Sequence, residues 1–283
     1  MASHPTARPG GAPLREARAH GEGIARTPQF EWFARSGLAA RGVVYLVIGV
    51  LAIKLALGDG GKATNQQGAL QTIAKQPFGT ALLIMVAVGL AGYASWRLLR
   101  AALGHGPEGA DDAKERVAGL VSGIGYAALC LTAVKILAGS GGGGGGSNPD
   151  KATGGVLGWP GGTWLVVIAG AIIVGVGLEQ GYKALKQKFL ENSKTGEMSH
   201  RVRQGFTALG VAGYLARMVV FTLIGYFLIK AALDYDPDKA IALDGALAHL
   251  GQTSYGPLLL GAVAAGLVCF GAYSIADARF RKV

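Results

Sequence analysis

The chain has 283 residues, of which 51% are hydrophobic and only 16% charged, with a mean hydropathy of +0.37. That is too apolar for an ordinary soluble domain, in which about 25% of residues are charged. Lys and Arg outnumber Asp and Glu by 27 to 17, a net charge of +10, so an oily chain carries a positive excess whose placement has to be explained. The 47 glycines favour closely packed membrane helices, because small residues let helix backbones approach. The two cysteines, Cys130 and Cys269, lie in apolar runs, which excludes a disulfide-framed secreted scaffold.

In chain order, residues 1–32 are rich in Pro, Gly, Ala and Arg and lack the continuous apolar stretch of a secretory signal peptide. They read as a disordered basic cytoplasmic tail. Six apolar segments follow: Leu38 to Leu57, Thr80 to Trp96, Val117 to Ala138, Thr163 to Tyr182, Val211 to Leu233 and Leu258 to Ala276. Each approaches the roughly 20 residues needed to cross a bilayer as a helix. The expected fold is therefore an all-α polytopic membrane protein with six transmembrane helices.

Charge placement sets the expected orientation, since cytoplasmic loops hold the excess of Lys and Arg. Most of the 27 basic residues fall in the N-terminal region through Arg41, in 97–116, in 183–203 and at Arg279, Arg281 and Lys282. The other three gaps hold only Lys62, Lys75, Lys151 and Lys239, and the last is acidic, with Asp234, Asp236, Asp238 and Asp244. Both termini are thus expected in the cytoplasm. The same distribution explains the positive charge by anionic headgroups, so nucleic acid is not an expected partner. The lipid bilayer is.

The odd segments repeat. Gly37, Arg41, Gly49 and Lys54 coincide with Gly213, Arg217, Gly225 and Lys230, while the third segment keeps Tyr126 in register with Tyr45 and Lys135 with Lys54, and has Ser122 where the others have arginine. In the following stretches Gly68-Ala69-Leu70 then Phe78-Gly79 matches Gly245-Ala246-Leu247 then Tyr255-Gly256, and Gly89-Leu90 matches Gly266-Leu267. The middle unit is read with Gly155-Val156-Leu157 and Gly177-Leu178 in those places, and with an inserted run from Gly141 to Gly146 taken as a flexible linker. Three parallel two-helix hairpins result, 33–104, 115–190 and 206–283, whose pseudo-threefold axis would lie along the membrane normal.

The signature ARSGLAARGVVYLVIGVLAIKLALG from Ala34, then GAL, QPFG and GLAGYASWR, resembles the bacterial membrane family known as domain of unknown function 1206, in three tandem copies. The resemblance implies a six-helix bacterial inner-membrane protein and supplies no catalytic residue.

Arg41 and Arg217 fall a few residues inside the ends of their helices. Arginine at depth costs at least about 3 kcal/mol unless it snorkels or pairs. Snorkelling to the interface suffices as an explanation; the functional alternative pairs them with Glu179 or Asp277, locking repeats together. Lys54, Lys135 and Lys230 would form a ring near the other membrane face. The nine-position step from Tyr45 to Lys54 turns about 180° around a helix, so if Tyr45, Tyr126 and Phe221 face inward the lysines face headgroups; the converse is an anion vestibule. The stretches around Leu70 and Ile73 and around Leu247 and Leu250 suggest short helices resting on the bundle. Spacings such as Gly119 with Gly123 and Gly177 with Gly181 would permit close crossings.

The five histidines lie in tails or loops without metal-ligand spacing, and no HExxH or GxSxG occurs. The expectation is a non-enzymatic membrane component without cofactor or metal, acting structurally or by interaction with a membrane or cytoplasmic protein. The alternative is a passive conduit or transporter for small solutes or anions.

Overall fold

A computed structural model of the chain describes residues 28–59, 61–103, 113–140 and 149–281. The basic tail through residue 27 and the Gly141–Gly146 run lie outside the described residues. Nine α-helices are described: α1 (Pro28–Ala56), α2 (Gln66–Ala74), α3 (Gly79–Leu103), α4 (Ala113–Leu137), α5 (Pro149–Leu157), α6 (Gly162–Leu185), α7 (His200–Leu233), α8 (Leu243–Gly251) and α9 (Gly256–Phe280). Each repeat is thus a long helix, a nine-residue helix and a second long helix. The six long helices are apolar and long enough to span a membrane.

The long helices contain the apolar spans and outrun several of them: α1 begins at Pro28, ten residues before Leu38, and α3 continues to Leu103, seven past Trp96. α7 starts at His200, well before the expected Val211. Nothing in HRVRQGFTAL stops a helix, and the extension is held by packing: Phe206 and Gly210 are buried, and a Cβ on Gly210 would overlap the Phe189 ring at 2.5 Å. The segment after α6 also runs back to the end of α9, where the Lys194 N–H donates to the Phe280 carbonyl at 2.7 Å.

The second long helix of each repeat packs on the first long helix of the next: α3 on α4, α6 on α7, and α9 on α1. Within repeats, α1 packs on α3 and α7 on α9, but α4 and α6 form no comparable interface. The bundle is therefore open along a seam in the middle repeat. α4 and α6 accordingly present much of their surface outward, with Leu120, Val121 and Ile124 on α4 and Leu165, Ile168 and Ile172 on α6 all exposed, as a lipid-facing belt requires.

Backbone approach defines the three inter-repeat junctions. A Cβ on Gly49 would lie 2.9 Å from the Ala264 carbonyl oxygen, and one on Gly225 2.7 Å from that of Gly170. Cys130 occupies the same repeat position in α4, and its thiol donates to the Ala87 carbonyl at 3.5 Å. Both cysteines are half-buried and free. At the next level, a Cβ on Gly271 would lie 2.8 Å from the Gly42 carbonyl oxygen and one on Gly177 3.2 Å from that of Met218. Gly177 therefore corresponds to Gly271 and not to Gly266, which packs on Ala212 and Ala216 of its own repeat. Gly119 and Gly123 do face α3, at Ala101 and Leu98.

The short helices rest on the bundle. α2 buries Ala69, Leu70 and Ile73, and α8 buries Leu243, Ala246, Leu247 and Leu250. α2 is capped by Asn65, whose carbonyl side-chain oxygen accepts from the Gln67 and Gly68 N–H groups, as an N-cap should. Asn65 also donates to Asp244 of α8 at 3.3 Å. α5 buries Thr153 and Leu157, which corrects the register of the middle unit: Thr153 stands where Leu70 and Leu247 stand, and Gly155-Val156-Leu157 is shifted. The shared landmark is Gly79, Gly162 or Gly256, where a Cβ would overlap the last carbonyls of the preceding short helix. On this capped face Phe78, Trp159 and Tyr255 are exposed, the interfacial placement that amphipathic rings prefer.

Candidate functional site

Arg41 of α1 and Arg217 of α7 occupy the same repeat position, and both guanidinium groups turn into the bundle instead of snorkelling out. Arg41 is 8% exposed. It donates to the Tyr93 hydroxyl and to Ser274 Oγ, both at 3.3 Å, and lies 5.5 Å from the Tyr93 ring centre and 5.2 Å from that of Phe270. Arg97 donates to the same Tyr93 hydroxyl, from Nε at 3.1 Å and from Nη2 at 3.0 Å. Tyr93 is thus an acceptor shared by two arginines, and its ring packs edge-on against Tyr126 at 4.6 Å.

Arg217 is held differently. Its guanidinium carbon lies 4.4 Å from the Phe270 ring centre, 5.2 Å from Phe221 and 5.6 Å from Tyr45. Among the described residues it has no hydrogen-bond acceptor, and its Nε is buried without one. The difference follows from sequence: Phe270 stands as far into α9 as Tyr93 stands into α3, so the third repeat offers Arg217 a ring face where the first offers Arg41 an oxygen.

A cavity of about 260 Å³ adjoins Arg217. Tyr45, Phe221, Ile224 and Leu228 form its walls with Leu267, while Gln66, Pro149 and Leu243 close it toward the capped face. Ile173 of α6 also lines it, whereas no described residue of α4 does. Apart from Arg217, the Tyr45 hydroxyl and Gln66, the lining side chains are apolar.

Among the described residues no direct salt bridge joins these arginines to Glu179 or Asp277, although Asp277 is close enough to Arg41 to act on it electrostatically. Glu179 pairs with Lys183 one turn along α6, at 3.2 Å. Asp277 is fully buried and pairs with Arg281 at 3.2 Å, also accepting from Ser193 at 3.2 Å. That cluster ties the post-α6 segment to the end of α9. Tyr45, Tyr126 and Phe221 do turn inward, whereas Lys54, Lys135 and Lys230 are exposed in the last turns of α1, α4 and α7 and take no part in lining the cavity. Sequence reading missed Tyr93, Phe270, Ser274, Ser193 and Arg281. Comparing α3 with α9 position by position from Gly79 and Gly256 would have flagged Tyr93 and Phe270; Ser274 and Ser193 carry no distinguishing signal.

These features define a six-helix, triplicated membrane-type bundle with an arginine-aromatic centre. The chain belongs to the Domain of Unknown Function (DUF1206) family, whose model matches residues 36–104, 117–187 and 212–281. It is similar to the uncharacterized protein YxxB of Bacillus subtilis (strain 168), 36% identical over 251 residues, which cover 88% of this chain and 90% of that protein. No solved structure matches the chain.

Proposed function

We propose that the chain is a non-catalytic integral component of the bacterial inner membrane, with both termini in the cytoplasm, that works by binding and not by turnover. The observation that carries this reading is Arg217, a cation set against three rings and a cavity without a protein acceptor among the described residues. A guanidinium stays protonated at any physiological pH. It holds an anion or a partner's carboxylate well and is a poor proton carrier. The orientation is supported by the basic residues of 183–203 and the acidic ones of 234–244. Cysteines introduced at Asp238 and at Lys186 should be labelled by a membrane-impermeant maleimide in intact cells at the first position only.

A second reading, a passive conduit for small anions, draws on the same cavity. Purified protein in liposomes should show no chloride or phosphate flux above protein-free vesicles. Flux that falls with Arg217→Met but persists when Lys54, Lys135 and Lys230 are replaced by Leu would install the conduit in place of the binding component.

A further inference from the structure

We infer that the cavity beside Arg217 is a binding site for a long-chain carboxylate drawn from the bilayer, its head on the guanidinium and its single acyl chain along α7 toward the capped face.

Charge comes first. Ring faces attract a guanidinium by roughly 0.5–2 kcal/mol each, but they leave its charge and its N–H donors unanswered: Arg217 is half-buried, its Nε is buried without an acceptor, and a guanidinium drawn from water without a counter-charge is penalised as its burial increases. Arg41 shows how this protein answers the same residue when it is meant to be static: two hydroxyl oxygens accept from it. At Arg217 the repeat-equivalent hydroxyl is absent because Phe270 replaces tyrosine, and the cavity occupies the space beside it. A planar guanidinium presents parallel donors that match a carboxylate bidentately, so the missing partner has the chemistry of a carboxylate.

Shape and lining then select the rest of the molecule. From Arg217 to Leu228 the cavity follows α7 for about 16 Å at the helical rise of 1.5 Å per residue, past Phe221 and Ile224. Its walls are hydrocarbon, which favours an acyl chain over a hydrated small anion. At about 260 Å³ it exceeds the roughly 150 Å³ that holds a benzene, and it falls below the usual range of about 300–1,000 Å³ for ligand pockets. One chain fits that space better than the two of a phospholipid. The fold points to the route of access: α4 and α6 leave the middle repeat unpacked, α6 reaches the cavity through Ile173, and no described residue of α4 lines it. An amphiphile already dissolved in the bilayer would reach Arg217 without crossing water.

The inference deepens the binding reading and rests on it, yet its readout differs: site-resolved labelling reports occupancy, whereas liposome flux reports conduction. The test uses the full chain in phosphatidylcholine vesicles with a diazirine-bearing fatty carboxylate, and locates the cross-links by peptide mass spectrometry. Labelling should concentrate on the α7 stretch from Phe221 to Leu228 and around Ile173, and be competed by excess oleate. It should fall at least tenfold with the methyl ester of the same probe, which removes the head's charge. Arg217→Met should lower it comparably and Arg217→Lys less. If Arg217→Met does not fold, Ile224→Trp, which fills the slot and keeps the arginine, should abolish labelling. Equal labelling of these peptides by acid and ester overturns the site, as does labelling spread evenly over the lipid-facing helices. Competition by acetate or inorganic phosphate as effective as that by oleate overturns the acyl chain.

Discussion

A buried ion is stable only when its neighbours replace the water it has lost, and the two polar centres of this bundle do so in different ways. Asp277 is satisfied by Arg281 and Ser193 and is entirely excluded from solvent. Removing one partner of a buried pair leaves the other uncompensated, so Asp277→Ala should lower stability by about 3 kcal/mol or more, while Ser193→Ala, which deletes one neutral donor, should cost about 1 kcal/mol. Thermal unfolding midpoints in a mild detergent check both; equal losses would mean that the ion pair contributes no more than the neutral hydrogen bond. Tyr93 is the corresponding hub for Arg41 and Arg97. Tyr93→Phe removes the oxygen that both arginines use and should cost about 1–3 kcal/mol in the same measurement, although the packing volume barely changes. A midpoint indistinguishable from wild type would show that the rings alone hold Arg41.

Elements meet here through glycine more than through large side chains. Gly225 lies against the Gly170 carbonyl, so a methyl group there must push α6 from α7; Gly125, exposed on α4, would meet nothing within 4 Å. Gly225→Ala should therefore destabilise by about 1–3 kcal/mol, and Gly125→Ala should leave stability unchanged or raise it by up to about 1 kcal/mol through helix propensity. The reverse order would sink the argument that glycine sets the α6–α7 junction. The same physics explains what could be read in advance. The six spans were legible because the bilayer imposes length and hydropathy on them, and the short helices because Leu70, Ile73, Leu247 and Leu250 keep helical spacing. The middle repeat was misread because Gly recurs so often that Gly155 and Gly177 offered false registers, which only carbonyl contacts distinguish. The inward turn of Arg41 and Arg217 was not legible either: a lone arginine near a helix end has the same sequence whether it snorkels or finds a hydroxyl on a helix far along the chain.

At the scale of the molecule, the chain order around the bundle runs through every repeat in turn and closes where α9 meets α1. The end of α9 reaches the first turns of α1 there, where Arg35 of α1 donates to the Arg279 carbonyl of α9 at 3.4 Å. The described helices thus form a circuit that α9 closes on α1 and that is open between α4 and α6. A variant in which a linker joins Arg281 to Pro28, so that the Asp277–Arg281 pair is kept, with new ends placed between α3 and α4, should insert and fold with an unfolding midpoint close to that of the parent, read by the same detergent melt. Loss of the folded species would show that synthesis order matters. Its survival would mean that the molecule is specified as a cycle of three units, with the open seam between α4 and α6 fixed by the middle unit's own residues wherever the chain happens to start.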